Sequence, residues 1–403
     1  MIALYISLAA IILCIFVGFR YKFNIGILAA CAACLIGGML LRISPSDFFS
    51  LVPSRTLFTI ASITFFYGFA LENQTLQQVI NTSLVRLQQK KSYIPVFIFV
   101  LCLLISGIGV GAPSTCAIIA PIAMSLALSL KAPSVLFAAA VSYGSCIGGN
   151  FILGQGGIIA QSLIDGEAAF SGSGQLFILN ASFHSLLVFC TLFVSVWLMF
   201  RNTSETSNTF SPSAPGFSSI QKRTLGLILA VVFILILFSA ASTYFSEATI
   251  FSTIDISYII AVAGVTAMLL RLANAEKVIK NHIPLQTLIT FTGMSLLMGV
   301  ARQAGFVDWL SALVTENVPA FFILPALSLI SSSMSCFSST TSVVLPTLFP
   351  LVKDISAAFP ALEPELFFSA IFVGSTCSGI SPFSTGGALI LGSCPEKENR
   401  HPL

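Results

Sequence analysis

Small, hydroxylated and helix-breaking residues in this otherwise apolar chain fall into two matching sets. Ile105-Ser-Gly-Ile-Gly-Val-Gly-Ala-Pro-Ser-Thr-Cys-Ala-Ile-Ile-Ala-Pro121 returns as Ile330-Ser-Ser-Ser-Met-Ser-Cys-Phe-Ser-Ser-Thr-Thr-Ser-Val-Val-Leu-Pro346, displaced by 225 positions without a gap. Gly144-Ser-Cys-Ile-Gly-Gly149 with Gly156-Gly157 returns as Gly374-Ser-Thr-Cys-Ser-Gly379 with Gly386-Gly387, displaced by 230. Upstream, Thr56-Leu-Phe-Thr59 and Gly68 face Thr287-Leu-Ile-Thr290 and Gly299. Hydroxyls and carbonyls are hard oxygen ligands for a cation such as Na⁺. The N–H groups freed where a helix starts attract an anion, each start offering about half a positive charge. Four converging helix starts would offset roughly two negative charges without an Arg. That chemistry suits binding of a small dianion.

Catalytic chemistry has little to draw on. The sequence shows no His/Asp/Glu cluster, no G-x-S-x-G and no nucleotide loop, so an intramembrane enzyme, an assembly protein or a nucleotide-driven pump is a remote reading. The ten Cys lie almost all in apolar segments and read as small hydrophobes. Cys31 and Cys34 form a C-x-x-C in mid-membrane without a second pair or a nearby His, which argues against a structural transition-metal site. His184, mid-way along an apolar helix, reads as a hydrogen-bonded packing residue. Glu72 and Arg302 read as snorkelling groups near segment ends, with Arg302 also placed to attract an anion from outside. No cofactor is expected.

The surroundings define the elements. Hydrophobic residues make up 56% and charged residues 8% of 403 residues, and the mean hydropathy is +0.98, which places the chain in a lipid bilayer rather than among soluble domains or nucleic-acid binders. Apolar runs over 2–19, 23–41, 56–71, 175–200, 224–245 and 256–270 suit helices crossing a core about 30 Å thick. The first run has no basic leader and reads as a retained helix. With the amino terminus outside, fourteen of the eighteen Lys and Arg fall in the cytoplasm: Arg20, Lys22, Arg86, Lys90, Lys91, Lys131, Arg201, Lys222, Arg223, Arg271, Lys277, Lys280, Lys397 and Arg400. The carboxyl terminus is then cytoplasmic too.

On this reading the chain is an all-α polytopic membrane protein of two inverted-topology repeats, each with a re-entrant helical hairpin and a broken transmembrane helix. Residues 1–201 form the first repeat, with a hairpin over 93–130 and a broken helix over 133–163. A cytoplasmic linker spans 202–223. Residues 224–403 form the second repeat, with a hairpin over 319–352 opening from the outside and a broken helix over 364–394; a final helix mirroring 175–200 is not seen. Broken backbone inside a bilayer is tolerated where protein or a water-filled cavity satisfies it. The hairpin tips and glycine-rich breaks are therefore expected to meet near the midplane. Expected substrate contacts are Gly111, Ala112, Pro113, Ser114, Thr115, Gly149, Asn150, Ser338, Ser339, Thr340, Thr341, Ser381, Pro382 and Thr385, with Gln155 as a supplementary donor. Expected cation contacts are Ser114, Ser145, Gly148, Asn150, Ser339, Ser375 and Gly379. For any single Gly or Ser, close helix packing is the competing reading.

Further residues resemble a known family. Asn24-Ile-Gly-Ile-Leu-Ala29, Leu57-Phe-Thr59, Phe65-Phe-Tyr-Gly-Phe-Ala70, Asn73-Gln-Thr-Leu76 and the paired Thr-x5-Pro hairpins resemble malonate and dicarboxylate carriers of the MatC type. These are part of the ion transporter superfamily, which includes the divalent anion/sodium symporters. The resemblance covers about 20–394. It implies a scaffold domain, a hairpin-bearing transport domain, an elevator-like motion and a homodimer in the inner membrane. It also implies a Ser-Asn-Thr signature about eight residues before each hairpin Pro. Here those places read Gly111-Ala-Pro113 and Cys336-Phe-Ser338, Thr115 and Thr340 match the following Thr, and neither tip has the Asn. The expected function is cation-coupled secondary transport, driven by Na⁺ or H⁺, of a three- or four-carbon dicarboxylate such as malonate or succinate. The alternative is the large membrane subunit of a binding-protein-dependent carboxylate transporter, which would need a small membrane partner.

Overall fold

The computed structural model describes residues 2–21, 23–86, 93–200, 216–244, 256–306, 309, 312, 318–381 and 384–394, and their regular structure is helical without a strand. Among the described residues, four helices or helix pairs are long and apolar enough to cross a membrane, Pro45–Glu72, Ala112–Ser129, Ser134–Asp165 and Gly174–Phe200, or up to six if each of two bent pairs is one span. The chain is a multi-pass membrane protein.

The first half opens with α1 (Ile2–Tyr21), α2 (Ile25–Cys34), α3 (Pro45–Ser50), α4 (Ser54–Glu72) and α5 (Thr75–Arg86). The hairpin follows as α6 (Ile94–Ile105), a π turn over Ser106–Val110, and α7 (Ala112–Ser129). Gly109 (φ 110°) and Gly111 (φ 88°) make the reversal, in backbone conformations that other residues avoid. The expected broken helix is α8 (Ser134–Asn150) and α9 (Gln155–Asp165), and α10 (Gly174–Phe200) follows.

The second half contains α11 (Ser219–Tyr244), α12 (Ile256–Leu269), α13 (Ala275–His282) and α14 (Leu285–Gln303). Its hairpin runs through α15 (Ile323–Phe337), a π turn over Thr340–Val344, α16 (Leu345–Leu348) and α17 (Val352–Ala358), with a bend of 118° between its arms. Beyond it lie α18 (Pro364–Cys377) and α19 (Thr385–Gly392). α11 begins at Ser219, inside the stretch read as linker, and 202–215 lie outside the described residues.

Packing repeats between the halves. α8 lies on α6, and α18 lies on α15. A Cβ on Gly144 would come within 2.4 Å of Phe99 O, and one on Gly374 within 2.7 Å of Ser328 O, so both crossings need glycine. α4 packs on α12 and α13, while α14 packs on α2 and α3. One buried core joins the first hairpin to α4, α5, α11 and α12; a second joins the other hairpin to α1, α2 and α14.

Polar pairs tie helix ends together. At one end His282 Nε2 lies 2.9 Å from Glu72 Oε2, and Asn73 Nδ2 donates to Thr224 Oγ1 at 2.7 Å. At the other, Arg302 binds both oxygens of Glu167, with Nη2 to Oε2 at 2.7 Å, and Asn180 Nδ2 donates to Glu365 Oε1 at 2.8 Å. Glu72 and Arg302, read as snorkelling groups, are therefore engaged in protein contacts. His184 also departs from expectation: its Nδ1 is buried without a hydrogen-bond partner.

Candidate functional site

Four helix starts meet around one cavity of about 530 Å³. α7 contributes Ala112, Pro113 and Ser114; α9 contributes Gln155 and Gly156; the second hairpin contributes Ser338, Ser339, Thr340 and Thr341; Ser384 and Gly386 come from the start of α19. Gly149, Asn150 and Gly379 complete the breaks. The facing wall comes from α2, α4 and α14, through Phe23, Asn24, Thr64, Pro284, Gln286, Thr287 and Thr290. Among the described residues, no Asp, Glu, Lys, Arg or His lines the cavity. An anion there meets helix starts, amides and hydroxyls instead of an ion pair.

The expected residues divide into wall and support. Thr115 is fully buried and donates its hydroxyl to Gly111 O at 2.8 Å, one turn back, so it braces the first hairpin and does not line the cavity. Asn150 is 4% exposed, and its Nδ2 donates to Ser185 Oγ and Thr376 Oγ1, each at 3.0 Å. That amide cross-links α8, α10 and α18. Thr340 Oγ1 lies 2.7 Å from Ser335 Oγ and donates to Ser375 O at 3.2 Å. In the first half the counterpart of Ser375 O, Ser145 O, accepts from a different position of the hairpin, Ser106 Oγ, at 2.8 Å.

Ser145 and Ser375 are fully buried and lie outside the wall. Gly148 packs against the first hairpin, where a Cβ would meet Leu103 O at 2.3 Å. Ser381 also lies outside the wall, its N–H donating to Ser378 O at 2.9 Å. Pro382 falls outside the described residues, as does the side chain of Thr385.

The sequence reading did not include the α2 and α14 wall. Asn24 Oδ1 accepts from Gly26 N at 2.9 Å and from Thr290 Oγ1 at 3.2 Å, while Nδ2 donates to Gln286 O at 3.1 Å. The recurrence of Thr56 and Thr59 as Thr287 and Thr290 was the available signal, but only Thr287 and Thr290 reach the cavity.

Residues 1–149 match the family described as "Dicarboxylate carrier protein MatC N-terminus". No curated protein matches the chain. Among solved structures, the YdaH transporter of Alcanivorax borkumensis, described as having an unusual topology, is similar with a TM-score of 0.57 and 14% sequence identity, over 89% of this chain and 81% of that one. At that identity the likeness establishes a shared fold. The family match covers α1 to α8, including the first hairpin and three of the cavity's wall elements.

Proposed function

We propose that this protein is a secondary transporter of a small organic anion, a three- or four-carbon dicarboxylate such as malonate or succinate, driven by a co-transported cation. The observation that carries this reading is the polar cavity, lined by no charged side chain among the described residues, at the junction of two hairpins and two broken helices with matching sequences. Helix starts supply attraction for the anion, and the oxygen-rich tips supply ligands for Na⁺. The dicarboxylate family match over the first 149 residues supports the substrate class. A dianion moving inward against about 100 mV meets roughly 4.6 kcal/mol, so net uptake requires accompanying cations.

The repeated packing supports two inverted halves. Basic residues cluster at the end carrying Glu72 and His282, which the positive-inside rule assigns to the cytoplasm. Phe23, Asn24, Pro284 and Gln286 put the cavity's mouth at that end, so the structure is read as facing inward. An elevator-like movement of the hairpins and broken helices against the α2 and α14 wall would expose the same residues to the other side.

The test is uptake of radiolabelled malonate and succinate into proteoliposomes, with and without a Na⁺ gradient, for the wild type and for Ser114→Ala and Ser339→Ala. The expected outcome is gradient-dependent uptake in the wild type and several-fold weaker uptake in both variants. No uptake of either acid under Na⁺, proton or exchange conditions would overturn the dicarboxylate reading.

A further inference from the structure

The two halves of the cavity differ in how their helix starts are satisfied. In the second half serine hydroxyls close them: Ser339 Oγ accepts from Ser342 N at 3.3 Å, and Ser384 Oγ accepts from Gly387 N at 3.1 Å. In the first half α7 and α9 start behind Gly111 and Gly154, and neither start has a side-chain cap. Their first residues, Ala112 to Ser114 of α7 and Gln155 and Gly156 of α9, line the cavity, and apart from Pro113, which has no N–H, the leading N–H groups of a helix have no partner within it.

Gln155 lies across the first hairpin tip. Its Oε1 is 2.3 Å from where a Cβ on Gly111 would sit, so a glycine at 111 makes the room this side chain occupies. The Gln155 side chain makes no hydrogen bond among the described residues. Both amide donors thus remain for a ligand. Asn150 differs, since its amide is taken up by Ser185 and Thr376. The second hairpin adds another unmet group: Ser342 lines the cavity at 1% exposure, and its Oγ has no partner. A buried hydroxyl of that kind is expected to find a hydrogen bond, so this part of the second hairpin, which lines the cavity, holds an unmet polar group.

We infer that Gln155 is the specificity-determining residue that reads the substrate's carboxylate, held at the uncapped starts of α7 and α9, while Asn150 is a cross-link that positions α8. This rests on the anion-transport reading proposed above. Glu at 155 would keep the length of the side chain but place a negative charge beside the carboxylate, weakening binding at least about tenfold. Asn at 155 would keep the amide but withdraw it by one methylene.

The experiment is malonate uptake by purified wild type, Gln155→Glu, Gln155→Asn and Asn150→Ala in proteoliposomes, with melting temperatures measured on the same preparations. Gln155→Glu is expected to raise the KM for malonate at least about tenfold with Vmax within about twofold, and Gln155→Asn to raise it about three- to fivefold. Asn150→Ala is expected to lower the melting temperature through the lost cross-link to Ser185 and Thr376. A KM for Gln155→Glu within twofold of wild type overturns the assignment; should that variant not fold, an unchanged KM in Gln155→Asn does the same. A tenfold KM rise in Asn150→Ala at unchanged melting temperature also overturns it, by moving the role to Asn150. If the wild type carries neither malonate nor succinate, the anion-transport reading falls and takes this assignment with it; if the wild type carries them, the variants test Gln155 alone.

Discussion

Glycines in this protein do two kinds of work, and neighbouring positions separate them. A Cβ on Gly148 would lie 2.3 Å from Leu103 O and 2.6 Å from Gly107 N, both backbone atoms that cannot step aside. A Cβ on Gly107, on the other side of the same crossing, would come no closer than 3.6 Å to Gly148 Cα. Gly148→Ala is therefore expected to destabilise the protein by about 1–3 kcal/mol by prising α8 from the first hairpin, with Gly107→Ala much milder. Melting temperatures of the two variants in detergent check this, and equal shifts would refute it. The sequence reading places Gly148 among the cation contacts as part of the glycine-rich break, although its counterpart in the second half is Ser378. Composition alone cannot separate a glycine that opens backbone to a ligand from one that admits a neighbouring helix, because the same missing Cβ serves both. Hydroxyls raise a similar ambiguity: Thr115 shares the tip motif with Ser114, yet one helical turn sends its hydroxyl back to Gly111 O.

The all-helical fold and the places where its helices break were legible because Gly and Pro interrupt apolar runs that are otherwise long enough to continue. The π turns over Ser106–Val110 and Thr340–Val344 were not, since they shift the helical register through tertiary packing and leave little trace in hydrophobic spacing. The α2 and α14 wall was also hidden, as its defining feature is a crossing of distant segments. A Cβ on Gly293 would lie 1.8 Å from Gly26 O, so the two helices touch backbone to backbone. Asn24 locks that crossing by capping α2 and binding Gln286 O and Thr290 Oγ1. Asn24→Ala is expected to cost about 1–2 kcal/mol through the lost cap and cross-link. It should also weaken substrate affinity, because Gln286 and Thr290 line the cavity. A melting temperature and malonate KM both equal to wild type would show that the crossing holds without it.

Across the whole molecule, the cavity mouth and the ion pair of Arg302 with Glu167 mark opposite ends. Glu167 follows α9, among the elements proposed to move, whereas Arg302 ends α14 in the facing wall. Sliding one against the other must part them. Arg302 holds Glu167 through both guanidinium nitrogens, but its side chain is 41% exposed. Solvent screening limits such a pair to about 0–1 kcal/mol, enough to change the ratio of two conformations up to roughly fivefold. Glu167→Gln is accordingly expected to move the population away from the state seen here. In a cysteine-free background with Ser114→Cys as reporter, labelling from the side of the present mouth should slow by up to about fivefold, and labelling from the opposite side should rise. Raised salt should imitate the variant in the wild type and have little further effect on the variant itself. Identical labelling rates for wild type and Glu167→Gln at low salt would show that the pair does not hold the two bodies in this arrangement.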